Sequence, residues 1–93
     1  MEVFAVGPGQ SQRMEEALED IQAWVEKGKY KKIRSVGTVF SVTDIYLLST
    51  RPRVIVELYG GRGPWYEVKL VGNNEQVLLQ WRKQLRKVAG YRA

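Results

Sequence analysis

The chain reads as a single α+β domain, a mostly antiparallel sheet of four to five strands with two helices packed on one face, in the order β-α-β-β-β-α. Three observations predict this class. Two segments, Met14 to Val25 and Val77 to Val88, repeat apolar residues at three- and four-residue spacing. The stretch between them is rich in β-branched and aromatic residues broken by Gly and Pro. A length of 93 residues leaves room for one hydrophobic core, so the domain spans 1–93 with a short tail from residue 90.

Val3 to Val6 is a short apolar run ended by Gly7-Pro8-Gly9, a first strand and its turn. Ser11 then sits where a helix N-cap belongs, and Glu15 and Glu16 lie near the positive end of the helix dipole. Met14, Ala17, Leu18, Ile21, Trp24 and Val25 form one stripe of a helix over 12–27, with Gly28 as its stop. Residues 32–48 make one long bent strand or two, with Gly37 or Thr43-Asp44 as the break. Ser49-Thr50-Arg51-Pro52 is a turn, Arg53–Tyr59 a strand, residues 60–64 a glycine-rich loop, and Trp65–Val71 another strand. Gly72-Asn73 opens the last helix, with Gln76 three residues after Asn73 as in a capping box, and Gly90 closes it.

Strand parity adds a functional hint. Val54, Val56 and Leu58 share one face of their strand, and Tyr66, Val68 and Leu70 one face of the next. Those faces suit the helices. The opposite side then carries Ile55, Glu57 and Tyr59 beside Trp65, Glu67, Lys69 and Val71. Two helices can hardly cover both sides of the sheet, so this mixed surface is expected to be a groove, a ligand surface or a subunit interface.

Charge is unevenly spread. Residues 10–28 are acidic, with five carboxylates against Arg13 and Lys27, whereas residues 29–70 hold eight cations against Asp44, Glu57 and Glu67. The net charge is +5. A basic face of this kind attracts polyanions at long range. There is no cysteine and no histidine, which removes disulfides, most zinc sites and the Cys-His and Ser-His nucleophile systems. No cofactor is expected. No long apolar run and no signal-peptide pattern is present, so the expectation is a cytoplasmic protein without membrane contact.

The residues that suit nucleic acid fall in three groups. Lys29, Tyr30, Lys31, Lys32 and Arg34 form a basic run with one ring inside it, read as a phosphate-tracking edge. Tyr59, Arg62, Trp65 and Lys69 surround the glycine loop, with rings to stack on bases and cations beside them. Arg51 and Arg53 widen the track. Each group has a plainer explanation: a solvated connection at a helix C-terminus, or a cross-strand aromatic pair at a homodimer seam. Trp24 and Trp81 lie on apolar stripes and read as core, while Arg82, Lys83, Arg86 and Lys87 read as a solvated helix face. Gly7-Pro8-Gly9 lacks the full GxGxxG spacing and is read as a turn. Asp44, Glu57 and Glu67, if aligned on one face, would offer a divalent-metal site for a nuclease.

The basic run Lys29–Arg34 and the hairpin Val54–Val71, in a small α+β domain without Cys or His, resemble the ThermoDBP-type single-stranded DNA-binding proteins of hyperthermophilic archaea and their shorter relatives. The resemblance implies single-stranded DNA held in a hydrophobic cleft with a basic rim, by an oligomer. The expectation is therefore a non-enzymatic homo-oligomer that binds single-stranded DNA or RNA. The alternatives are a protein-interaction or structural module and a metal-dependent nuclease.

Overall fold

The computed structural model describes residues 1–6, 14–39, 41–61 and 67–90, without the side chains of 14–17 and 61. The elements are β1 (Glu2–Val6), α1 (Met14–Lys27), β2 (Lys31–Gly37), β3 (Ser41–Thr50), β4 (Arg53–Gly61), β5 (Glu67–Gly72) and α2 (Glu75–Val88). The strands form one antiparallel sheet in the order β1-β5-β4-β3-β2. The fold is α+β, and the N-terminal strand supplies the fifth member by pairing with β5. Residues 32–48 divide at Gly37, and Thr43-Asp44 runs unbroken within β3.

The core lies on one side of the sheet. Val54, Val56 and Leu58 of β4 and Val68 and Leu70 of β5 are buried beneath Ile21 and Val25 of α1 and Leu78 and Leu85 of α2. Ala5, Val6, Tyr46 and Leu48 complete this layer. Full burial of each such aliphatic side chain stabilises by about 1.5–3 kcal/mol. α2 packs on β1 and β5, and α1 on α2 and β4. Arg86 of α2 ties that layer down: its Nε donates a 2.9 Å hydrogen bond to the Ala5 carbonyl. The expected solvated face of α2 therefore holds one structural arginine, while Lys83 and Lys87 remain exposed.

Two helix boundaries shift by one residue from the sequence expectation, the start of α2 and the left-handed residue that ends α1, whereas Gly90, at φ 82°, closes α2 as expected. The N-cap of α2 is Asn74, not Asn73, and its side chain accepts from the Val77 amide at 3.2 Å. At the end of α1, the Tyr30 amide bonds to the Val25 carbonyl and the Lys29 amide to the Glu26 carbonyl. That is a Schellman arrangement with Lys29, at φ 58°, in the left-handed position usually taken by glycine. Gly28 serves a different need: a Cβ there would lie 2.5 Å from the Tyr30 ring. The expected N-cap Ser11 and the Gly7-Pro8-Gly9 turn lie outside the described residues.

Candidate nucleic-acid interface

The side of the sheet away from the helices is the mixed surface that strand parity foresees. Register places Ile55 opposite Val71, Glu57 opposite Lys69 and Tyr59 opposite Glu67. β3 extends these rows with Leu47, Ile45 and Thr43, and β1 with Glu2 and Phe4. The central row thus reads Arg34, Ile45, Glu57, Lys69, Phe4, and the row beside it Lys31, Leu47, Ile55, Val71, Glu2. Ile45, Leu47, Ile55 and Val71 are half-buried, and nothing among the described residues lies over them.

Lys69 is the centre of this surface. Its Nζ lies 5.3 Å from the Phe4 ring centroid and 5.4 Å from that of Tyr59, and 3.6 Å from a Glu2 carboxylate oxygen. Two rings on strands either side of β5 therefore flank one ammonium, an arrangement favourable to the cation on both sides. The Tyr59 hydroxyl donates a short hydrogen bond to the Glu57 carboxylate. Burial, then that bond and the surrounding charges of Glu57, Glu2 and Glu67, push the Tyr59 phenol up to about 12. It stays a proton donor across the physiological range.

Phe4 is the residue that sequence reading missed. The residue is 45% exposed. A parity signal was present, because Phe4 alternates with Val3 and Ala5 and so faces away from them. A strand read only as an apolar run hides that alternation.

The basic run does not act as one unit. A bulge between Lys32 and Arg34 inserts Ile33 and resets the parity of β2. Lys31 and Arg34 consequently share the open face, paired with Leu47 and Ile45. Lys32 points to the other side, where its Nζ lies 3.8 Å from Asp44 and 5.5 Å from the Tyr46 ring centroid. The Tyr46 hydroxyl is buried without a hydrogen-bond partner among the described residues. Its pull on Lys32 is thus that of a nearby dipole rather than a formed bond. Together with the Asp44 charge it holds Lys32 above the ordinary lysine range.

Tyr30 joins neither face of the site. Its ring packs 5.4 Å from Trp24 and 6.3 Å from Trp81, a cluster that closes the end of the helical layer. Lys29 is exposed at the helix end, and Arg51 and Arg53 are exposed around the β3–β4 turn. Arg62 and Trp65 lie outside the described residues.

The three sheet carboxylates do not align. Glu57 and Glu67 are on the open face, whereas Asp44 pairs with Leu58 on the opposite one and accepts a 2.6 Å hydrogen bond from Ser35. Among the described residues no group of three potential metal ligands comes together. No described helix is long and apolar enough to cross a membrane. Comparison of the chain with protein-family models, with curated proteins and with solved structures gives no match.

Proposed function

We propose that the open face binds single-stranded nucleic acid, with DNA favoured through the ThermoDBP resemblance, and without catalysing a reaction. The observation that carries this reading is the Phe4–Lys69–Tyr59 array on a sheet face that no described element covers, with Lys31 and Arg34 along the edge strand β2 of the same face. Bases stack on rings irrespective of sequence, at about 1–3 kcal/mol per base. Phe4 offers the freer ring, because Tyr59 is engaged with Glu57.

The carboxylates decide where phosphates go. Glu2, Glu57 and Glu67 cluster around Lys69, and the Glu2 contact neutralises much of its charge. Phosphates are repelled there and drawn to the β2 side, where Lys31 and Arg34 have no carboxylate opposite them in register. Arg51 and Arg53 continue the basic track at the same end of the sheet as Lys31. Strand spacing of about 4.8 Å makes the five-stranded face about 19 Å wide, room for a few nucleotides.

The test is an anisotropy titration of a labelled single-stranded oligonucleotide at two salt concentrations. Phe4→Ala should weaken binding about tenfold at both, the loss of one stacked base. Lys31→Ala and Arg34→Ala should each flatten the salt slope by about 0.7. Lys32→Ala, on the opposite face, should do so much less. Equal affinity of wild type and Phe4→Ala contradicts the assignment.

A further inference from the structure

We infer that the same open face docks on its counterpart in a second copy of this chain, about a twofold axis running along β4. β4 is the middle strand, so this axis exchanges β3 with β5 and β2 with β1. The row Lys31, Leu47, Ile55, Val71, Glu2 is self-complementary under that exchange. Lys31 meets Glu2 of the second copy, Leu47 meets its Val71, and Ile55 meets Ile55 on the axis. An apolar centre with an ion pair at each end is the composition expected of a specific interface.

The next row supports the same placement. Arg34 comes over the exposed Phe4 ring of the second copy, a cation–π pairing, and Ile45 over the stem of its Lys69. Lys31 and Arg34 occupy one edge of the face and Glu2 the other. Stacking like edges would set Lys31 and Arg34 of both copies together, so charge selects the exchange of edges. The packing is that of two aligned sheets, turned by about 30°. One contact opposes it, because Glu57 meets Glu57 on the axis.

Pairing through the free edge of β2 is the competing route, and the chain disfavours it. Lys31, Lys32 and Arg34 with the bulge at Ile33 are devices that keep an edge strand from adding a neighbour. The face-to-face dimer stands independently of the nucleic-acid reading. Where both hold, oligonucleotide and second copy compete for one surface.

Sedimentation equilibrium of the full chain over a wide concentration range tests this. Wild type should be a dimer. Lys31→Glu should weaken it about tenfold, and Lys31→Glu with Glu2→Lys should restore it, as expected for a close charge pair across an interface. Glu57→Gln should tighten it by removing the repulsion on the axis. Leu47→Glu should abolish it, and because both Lys31 and Glu2 are exposed, the charge exchange remains informative if Leu47→Glu misfolds. A wild-type monomer throughout overturns the inference, as does a dimer indifferent to Lys31→Glu. Adding single-stranded oligonucleotide separates the two ideas. A monomer that binds it overturns the dimer and leaves the proposed function; a dimer that ignores it upholds the dimer and removes the function.

Discussion

Lys29 and Gly28 divide between them a task that one glycine often performs. Lys29 takes the left-handed conformation at the end of α1, at φ 58°, a cost of about 1–2 kcal/mol for a residue with a Cβ. Gly28 is required by space, since any side chain would enter the Tyr30 ring. Lys29→Gly should therefore raise stability by about 1 kcal/mol, and Gly28→Ala should lower it, both read from urea unfolding midpoints. A sequence supplies the glycine but not the turn it belongs to, so the stop of α1 was legible to one residue and the reason for Gly28 was not. Tyr59 makes a second residue-scale prediction. Its phenol is raised from about 10 when unfolded to about 12 when folded. The protonated form is the one the fold favours. That contribution is complete below pH 10 and is lost as pH rises from 10 to 12. Tyr59→Phe should reduce the alkaline loss of stability in this window and remove the tyrosinate absorbance component that titrates near pH 12. Glu57→Gln should bring that component down.

Among the elements, β2 shows most clearly what periodicity can and cannot convey. The β-branched content of 32–48 marks strands, and Gly37 marks their break. Simple alternation, however, sets Lys32 and Arg34 on one face and Lys31 on the other. The Ile33 bulge reverses this by one residue, and bulges follow from pairing geometry that no local pattern encodes. Deleting Ile33 should remove the bulge and leave Lys31 and Arg34 on the open face in unbroken alternation, so the salt slope of oligonucleotide binding should survive the deletion. By contrast β4 and β5 were legible over most of their length, because alternating Val and Leu on a half-buried sheet fixes register; Gly60 and Gly61, expected in the loop, instead extend β4 by pairing with Val42 and Ser41. α2 holds the other element-scale surprise. Arg86 looks like one more helix-surface cation, yet its bond to the Ala5 carbonyl pins β1 to the helix. Arg86→Met should cost about 1.5–3 kcal/mol, the range for a hydrogen bond with a charged partner, while Lys83→Met should change unfolding little.

At the scale of the whole molecule, two helices cover one side of a five-stranded sheet, and no described element covers the other. Every described half-buried apolar residue on that side, from Ile45 and Leu47 to Ile55 and Val71, retains exposed surface that water solvates poorly. Lys31 and Arg34 lie at one of its edges and Glu2 at the other, and rings flank Lys69 beside the second. Both the nucleic-acid reading and the face-to-face dimer draw on this single asymmetry. Composition announced it in outline, since a basic balance and sheet aromatics were visible at once. Its actual members differ: Phe4 enters, Tyr30 turns into the Trp24–Trp81 cluster, and Lys32 faces Asp44. Those reassignments depend on contacts between segments distant in sequence.

Isothermal titration of single-stranded oligonucleotide into the wild type and into Phe4→Ala, each shown folded beforehand, addresses the open face most directly. The wild type should bind with an affinity that falls with added salt, and Phe4→Ala should bind about ten times more weakly at every salt concentration. Binding that survives the loss of Phe4 unchanged, or heat that is absent for the wild type at low salt, would contradict the account.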